Sequence, residues 1–304
     1  MSVKLRQYQI KRDFAAAGAF LAENYLPGNR NGNFFPPAWE YMHYHPMLDE
    51  KLLDNIGVWE DKGRIVGFVH PEIHAGEAFF EISPRYAYLK PQMLDYAESR
   101  LGGKAPDGRM CLLAFVNDFD KDFESLVSSR GFEMFPELAR PMTALPVPYP
   151  FPPILLPDGF VLKSLAEEND LAKLDCCVWR GFNHGDEPPL IDYAGRKKMQ
   201  SAPGFRKDLN NIVIAPDGNY VAYAGLWYEP ENKFAYVEPV CTDPAYRRQG
   251  LGTAAVMAGI RRCGELGAKV AYVGSVQPFY QSMGFKKLFT CNCWRKSLDG
   301  ERGS

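Results

Sequence analysis

Residues 236–255 read YVEPVCTDPAYRRQGLGTAA and combine, in order, a strand, a turn, a basic glycine loop and the start of a helix. Asp243 and Pro244 set the turn, and the loop contains Gly250 and Gly252. Backbone N–H groups at a helix start are unpaired and carry the positive end of the helix dipole, so they bind phosphates well. Glycines let a diphosphate approach the backbone closely, because a Cβ would obstruct it. The stretch therefore predicts a phosphate-binding site.

Two other phosphate-binding motifs fit this stretch less well. A dinucleotide-binding G-x-G-x-x-A motif expects an acidic residue about 20 residues later. The sequence there is Val270-Ala271-Tyr272-Val273, which contains no acid. A Walker loop requires G-K-[ST], and none follows the glycines. The simple alternative is an ordinary helix start beside a basic surface cluster.

The same stretch resembles the signature of the GNAT superfamily of N-acetyltransferases, in which an Arg or Gln stands three residues before the first glycine of a G-x-G or G-x-A pair. Arg247, Gly250 and Gly252 occupy those places. The resemblance runs over most of residues 159–296, because residues 278–285 (PFYQSMGF) look like the last helix of the family and the turn into its last strand.

The resemblance implies that acetyl-CoA binds along this stretch. In the family, backbone N–H groups of the strand before the loop bind the acyl carbonyl and the pantetheine arm; these are Val240, Cys241 and Thr242 here. The arm lies where the next strand, residues 269–273, diverges. The diphosphate is expected on the residues that follow, namely Arg247, Arg248, Gln249, Gly250, Leu251, Gly252 and Thr253.

Two side chains are candidates for the proton transfers of acetyl transfer. Tyr280 falls where many family members place the tyrosine that protonates the coenzyme A thiolate, and its alternative role is that of a packing aromatic. Glu238 lies two residues past the common glutamate place, which Tyr236 occupies. Since strand residues two apart share a face, Glu238 could accept the amine proton through water. A strand-edge charge or a substrate contact is the equal alternative.

The remaining reactive residues form no recognised catalytic or metal-binding pattern. Cys241 has no histidine near it in sequence, which favours packing over a nucleophilic role. The polar loop around His184 could face the acceptor amine or simply be solvated. The other four histidines lack a completing carboxylate or cysteine pattern, so no metal site is predicted; they are His43, His45, His70 and His74.

Features recur in the same order on either side of a proline-rich span, which indicates an internal duplication. Seven prolines fall between Pro141 and Pro157 and favour an extended linker. We therefore predict a degenerate GNAT-like domain at 1–142, a linker at 143–158 and a catalytic GNAT domain at 159–304. The implied fold is α/β (α+β), with each domain a mixed, mostly antiparallel sheet flanked by helices.

The first half keeps the order of elements but lacks the chemical residues of the second. The segment equivalent to the phosphate loop has no glycine between Gly76 and Gly102. Val127 stands where the terminal tyrosine would be when the two Gly-Phe pairs are aligned. The sequence therefore predicts one coenzyme A site per chain.

Composition narrows the class of protein further. With 46% apolar residues, 24% charged residues and a net charge of −2, neither a membrane nor a nucleic-acid partner is expected. Seven cysteines without a pairing framework and an N-terminus without an apolar signal core favour a cytoplasmic setting. An oligomer is possible, but the sequence does not specify its state.

Together these features predict an acetyl-CoA-dependent N-acetyltransferase that transfers acetyl directly to a primary amine of a small molecule. The alternative is a non-catalytic acyl-CoA-binding sensor or partner-binding protein that keeps the fold. A binder needs neither Tyr280 nor a base, which is the feature that discriminates the two.

Overall fold

The computed structural model describes residues 3–104, 108–148, 150–188 and 193–298. Tyr149, within the predicted linker, and residues 299–304, at the end of the predicted catalytic domain, lie outside these ranges. The strands are β1 (Lys4–Gln7), β2 (Gly57–Asp61), β3 (Arg64–His70), β4 (Glu77–Ile82), β5 (Gly103–Lys104), β6 (Met110–Asn117), β7 (Glu133–Met134), β8 (Arg140–Pro146), β9 (Val161–Ser164), β10 (Asn211–Ile214), β11 (Tyr220–Glu229), β12 (Phe234–Thr242), β13 (Val270–Val273) and β14 (Lys286–Ser297).

The helices cover the faces of these strands. The α-helices are α1 (Ile10–Asn24), α2 (Pro36–Tyr44), α3 (Lys90–Arg100), α4 (Lys121–Ser129), α5 (Leu171–Gly181), α6 (Ala194–Gln200), α7 (Leu251–Glu265) and α8 (Pro278–Ser282). Short 3₁₀ segments lie at Glu50–Asn55, Pro84–Leu89, Pro136–Leu138, Lys207–Leu209 and Pro244–Tyr246. Within the described ranges, no helix combines the length and apolarity that a membrane crossing requires.

The chain forms two compact units. The first comprises Met1–His43, Met47–Met142 and Lys287–Ser304, and the second comprises Tyr44–Pro46 and Thr143–Lys286. The first unit therefore includes almost all of β14, which the division at 143–158 assigned to the second half. Local composition marks the proline-rich span but carries no information on which distant segment a strand will pair with.

The two sheets follow one plan. In the first unit the strand order is β1-β2-β3-β4-β6-β14, with β5 beside β6 and β7 beside β14. In the second it is β8-β13-β12-β11-β10-β9. Each sheet is antiparallel except for one parallel pair, β4 with β6 and β12 with β13. The predicted fold class, a mixed and mostly antiparallel sheet flanked by helices, is confirmed.

Each unit takes its last strand from the other half of the sequence. In the first unit, β14 pairs antiparallel with β6, from Cys291 opposite Asn117 to Ser297 opposite Cys111. In the second unit, residues 143–146 of β8 pair antiparallel with β13. The duplicated halves have therefore exchanged their final strands.

Helix α7 is the main helix of the second unit and packs against β11 and β12. Its apolar residues recur at helical spacing and are fully buried, so they form a stripe that faces the sheet. The stripe comprises Leu251, Ala255, Val256, Ile260 and Cys263. Gly259 lies at the closest approach: a Cβ there would overlap the Leu226 side chain and lie 2.9 Å from Asn211 Nδ2.

We expect Gly259→Ala to lower the free energy of unfolding by about 1–3 kcal/mol, because the added methyl overpacks this contact. Gly18→Ala in α1 is the matched control, since a Cβ there meets no heavy atom within 4 Å. It should raise stability by about 0.5–1 kcal/mol through helix propensity. Urea denaturation of both variants measures the difference, and equal effects would contradict the packing assigned to Gly259.

Candidate functional site

The predicted phosphate loop connects β12 to α7 by a tight turn. The Asp243 side chain accepts a hydrogen bond from the Ala245 N–H (2.9 Å), and its carbonyl accepts one from the Tyr246 N–H (2.9 Å). Arg248 and Gly250 then adopt positive φ angles of 70° and 79°. Gly250 is the N-cap of α7 and has no capping side chain. The backbone at the start of α7 is therefore not capped by a side chain.

The amides of this loop have no acceptor within the part of the chain that the structure describes. The first helical hydrogen bond of α7 runs from the Ala254 N–H to the Gly250 carbonyl (2.9 Å). The six N–H groups from Arg248 to Thr253 precede it and donate to no described carbonyl or side chain. Unpaired amides at the positive end of a helix dipole form an anion site. The unpaired amides of this loop have the arrangement that binds phosphate groups at helix starts.

The two glycines of the loop differ in their surroundings. A Cβ on Gly250 would meet no heavy atom within 4 Å, so the space beside its backbone is open. A Cβ on Gly252 would lie 2.8 Å from Thr242 Oγ1 and 3.3 Å from Phe279 Cζ. The sequence predicts phosphate access for both glycines. In the structure the absent Cβ of Gly252 instead lets α7 pack against β12 and α8.

The Arg247 side chain is held by protein acceptors. Its Nε donates to the Thr242 carbonyl (3.1 Å), and its Nη2 donates to the Gly181 carbonyl (3.0 Å) and to Asn183 Oδ1 (2.9 Å). These bonds tie the loop to the end of α5. Arg247 therefore fixes the backbone of the loop, which is a role distinct from direct contact with a phosphate.

A wedge opens between β12 and β13. Their parallel pairing covers Phe234–Tyr236 opposite Val270–Tyr272, and the described ranges contain no further pairs between the two strands. The Asp243 N–H donates to the Val221 carbonyl of β11 (2.9 Å). By strand alternation the Cys241 N–H also faces β11, whereas those of Val240 and Thr242 face the wedge. Two of the three predicted N–H groups, those of Val240 and Thr242, therefore face the open wedge.

Cys241 is buried and belongs to a packed thiol pair. Its Sγ donates to the Cys177 carbonyl (3.7 Å), and a Cβ on Gly181 would lie 2.6 Å from the Cys241 Cβ. The hydrogen bond to Cys241, together with burial, raises the pKa of the Cys177 thiol well above its usual value. These contacts favour the packing role of Cys241 over a nucleophilic one.

Tyr280 lies on α8 with only 8% of its surface exposed. Its ring makes edge contacts with Phe279 and Phe285, at centroid distances of 4.9 and 5.8 Å. Its hydroxyl donates to no side chain or carbonyl of the described residues. Burial, with smaller contributions from the charges of Glu238 and Cys241, raises the pKa of the phenol well above its ordinary value. Tyr280 therefore keeps its proton at neutral pH.

Glu238 stands at an irregularity of β12. The register with β11 shifts between Ala224 and Leu226, so that Gly225 lies opposite both Glu238 and Pro239. Such a bulge re-aims side chains. The Glu238 carbonyl accepts the Trp227 Nε1–H (3.0 Å), and its carboxylate Oε2 accepts the Tyr236 hydroxyl (2.6 Å). The sequence did not predict this hydrogen bond. Its only signal was the i, i+2 spacing, which puts Tyr236 and Glu238 on the same face of the strand.

A groove runs beside the start of α7. Its volume is about 250 Å³, and one wall is the 152–155 part of the proline-rich segment. Arg261 holds this segment in place, since its Nη2 donates to the Pro152 carbonyl (3.2 Å) and its guanidinium lies 5.0 Å from the Phe151 ring centroid. The facing residues on α7 are Gly250, Thr253, Ala254 and Met257. The groove therefore begins at the free amides.

The remaining polar candidates make internal contacts. Near α5, the ring of His184 lies against that of Trp179 (5.1 Å), and Arg180 Nε donates to the Asp186 carbonyl (2.6 Å). His43 bonds the Tyr8 hydroxyl (2.9 Å), and buried His70 bonds Glu81 Oε1 (3.2 Å). Among the described residues, no group of three or more His, Cys, Asp or Glu side chains is arranged to hold a metal ion.

The first unit has a corresponding wedge, but its own loop fills it. The parallel pairing of β4 with β6 is limited to Glu77 and Ala78. Beyond it, Asn33 bonds both the N–H and the carbonyl of Ile82 (3.0 and 3.2 Å), and the Phe34 N–H donates to Glu81 Oε2 (2.6 Å).

The opposite side of this wedge is closed by the same loop. Asn117 Nδ2, at the end of β6, donates to the Gly32 carbonyl (3.1 Å). A Cβ on Gly32 would overlap the Asn117 amide. The loop of residues 29–34 thus joins the two strands where they diverge. The sequence features that predicted an inactive first half, the lack of glycine between Gly76 and Gly102 and the presence of Val127, did not predict this closure.

Sequence comparison identifies the family of the second half. Residues 172–285 match the family model described as "Acetyltransferase (GNAT) family". This range contains the phosphate loop, both strands of the wedge and Tyr280. No curated protein matches the chain by sequence.

Solved structures share the fold. The tandem GNAT protein from the clavulanic acid biosynthesis pathway is 12% identical, with a TM-score of 0.65 over 99% of this chain and 100% of that one. A GCN5-related N-acetyltransferase from Sphaerobacter thermophilus is 13% identical, with a TM-score of 0.64 over 97% and 95%. The glucosamine N-acetyltransferase region of a fungal multi-domain β-N-acetylglucosaminidase is 16% identical, with a TM-score of 0.57 over 97% of this chain and 38% of that one. We conclude that residues 172–285 form a GNAT-family domain and that the chain shares the fold of the tandem GNAT structure.

Proposed function

We propose that the second unit transfers an acetyl group directly from acetyl-CoA to a primary amine of a small molecule. One juxtaposition supports this proposal above all. Free helix-start amides lie at the end of β12, and the same strand places Glu238 within electrostatic reach of the protonated Tyr280. An anion site after β12, with one proton-transfer group on that strand and the other on α8, suits a charged acyl donor and an amine acceptor.

Binding would use three regions of the second unit. The diphosphate would lie on the amides from Arg248 to Thr253, where Gly250 leaves open space. The pantetheine arm would enter the wedge, where the N–H groups of Val240 and Thr242 are oriented to donate hydrogen bonds to the carbonyl groups of the arm. The groove beside α7 lies at the same amides and would take the adenosine end.

Two side chains would move the protons. When bound, acetyl-CoA supplies a thioester whose carbonyl carbon the amine attacks and whose thiolate leaves. Glu238 would accept the proton that the attacking amine loses, through water. Tyr280, a phenol that is protonated at neutral pH, would donate its proton to the departing thiolate. The wedge amides would stabilise the oxyanion.

The acceptor is proposed by chemical class only. The fungal structural neighbour acts on glucosamine, so amino sugars are the first amines to test. The decisive assay incubates the protein with acetyl-CoA and a panel of primary amines and titrates the free thiol released. Turnover with a small amine supports the proposal. Tight binding of coenzyme A without turnover on any amine would favour the sensor alternative. We also propose a cytoplasmic setting, on the sequence grounds given above.

Gly250→Val should weaken coenzyme A binding at least about tenfold, because the side chain would project into the open space beside the amides. Gly131→Val is the matched control. Its φ of 81° equals that of Gly250 within 2°, and a Cβ there also meets nothing within 4 Å. Both variants carry the same backbone strain, so calorimetry should show a changed affinity in Gly250→Val alone. If both folded variants bound coenzyme A with equal affinity, the assignment of the diphosphate to this loop would be wrong.

Tyr280→Phe should lower kcat by about 10²-fold or more and leave acetyl-CoA affinity unchanged, since it keeps the packed ring and removes only the proton donor. Steady-state kinetics and calorimetry measure the two effects. Phe285→Leu, a change in a ring that Tyr280 contacts, controls for packing and should retain most activity. Near-normal turnover of Tyr280→Phe would leave the tyrosine as a packing residue.

Coenzyme A should bind with a stoichiometry of one per chain. The first unit offers no open wedge, because residues 29–34 bond both strands at their point of divergence. Equilibrium titration should therefore give a single site, and Gly250→Val should remove it. Two equivalent tight sites would contradict the closure of the first wedge.

A further inference from the structure

We infer that Tyr236 is a positioning residue for the proposed acetyl transfer: its hydroxyl holds the Glu238 carboxylate in the orientation and charge state of a proton acceptor. The inference rests on the proposed function. Tyr236 occupies the place where the family pattern has a glutamate. Its hydrogen bond explains how Glu238, two residues further along the strand, can act as the proton acceptor instead.

The contact itself is short, and it joins a buried phenol to a half-buried carboxylate. The Tyr236 hydroxyl donates to Glu238 Oε2 at 2.6 Å, within the range of charge-assisted O–H···O⁻ bonds. Tyr236 is only 8% exposed. Burial limits the competition from water, so the bond is stronger than it would be at the surface.

The backbone of Tyr236 is fixed on both sides. It lies opposite Trp227 of β11 and opposite Tyr272 of β13. It is also the last residue of β12 before the wedge opens. The hydroxyl therefore projects from the most constrained point next to the site, which is where a positioning group is most effective.

Glu238, in contrast, lies beyond this paired segment. It occupies the bulge opposite Gly225, and β13 no longer pairs with the strand there. A carboxylate on such a bulge has several rotamers to choose from, because its χ angles are not set by neighbouring ladders. The Tyr236 hydroxyl on Oε2 favours the rotamer that shares a face with Tyr236. Trp227 fixes the backbone of the same residue through its carbonyl (3.0 Å).

Charge state follows from the same bond. A donor to a carboxylate favours its ionised form, so the Tyr236 hydroxyl stabilises the charged Glu238 side chain. On α8, burial raises the pKa of Tyr280, and the charge of Glu238 adds a smaller contribution. The two phenols thus have different roles. Tyr236 donates a hydrogen bond that keeps the carboxylate charged, whereas Tyr280 donates its proton to the departing thiolate.

A purely structural reading of the bond is that a buried phenol merely needs an acceptor. The two readings differ in one measurable respect. If Tyr236 acts through Glu238, removal of its hydroxyl has an effect only while the carboxylate is present. If the hydroxyl serves packing, its removal has the same effect in either background. A double-mutant cycle measures this difference.

The kinetic test compares Tyr236→Phe, Glu238→Gln and the double variant, with the amine found in the acceptor screen. Tyr236→Phe should lower kcat about tenfold with an unchanged KM for acetyl-CoA. In the Glu238→Gln background, the further change should cost less than about twofold. Tyr228→Phe is the matched control: its hydroxyl donates to the Leu266 carbonyl (2.7 Å), and kcat should not change. Additive losses in the double variant would overturn the inference.

A second measurement needs no turnover. Carbon-13 NMR of protein labelled at the glutamate carboxyl carbons, with Glu238→Gln used to assign the signal, follows the titration of Glu238 directly. Tyr236→Phe should raise its pKa, because the donor that favours the charged form is lost. An unchanged pKa would overturn the inference. A wild-type protein that acetylates no amine would count against the proposed function, whereas the NMR shift decides the Tyr236 contact independently.

Discussion

The candidate site depends on a single break in pairing, where β12 and β13 separate after Tyr236. A parallel ladder offers each strand a partner for every second N–H and carbonyl, and its interruption leaves those groups facing open space. Val240 and Thr242 have N–H groups on this side, and Glu238 lies just beyond the break. In the loop after β12 the backbone N–H groups likewise lack acceptors among the described residues, since they precede the first hydrogen bond of α7. The proposed binding surface is therefore mostly main chain.

Side chains around this surface hold the backbone open. Arg247 is the clearest case, because its guanidinium spans from the Thr242 carbonyl to the end of α5. Gly252 contributes by the absence of a side chain, which brings the start of α7 against β12. In the first unit the opposite has happened: Asn33 and Asn117 fill the equivalent separation with side-chain amides. The same fold is thus open in one unit and closed in the other, and short polar contacts account for the difference.

The sequence predicted the local parts of this architecture well. The fold class and the family follow from residues 236–255 and 278–285, because loop, helix start and terminal helix are each encoded in a few adjacent residues. Contacts between distant segments were not predictable in the same way. The closure of the first wedge joins residue 32 to residue 117, and the last strand of each unit pairs with the other half of the chain. No spacing rule within one segment specifies such partners.

The exchange of final strands has a consequence for synthesis on the ribosome. A protein with two independent halves can complete its N-terminal half while the rest is still being made. Here the edge of β6 that pairs with β14 finds its partner only in residues 291–297. Until those residues emerge, the first sheet has an unpaired edge of the kind that invites association with other nascent chains. This edge of the first sheet must therefore be protected from association until the residues of β14 have been made.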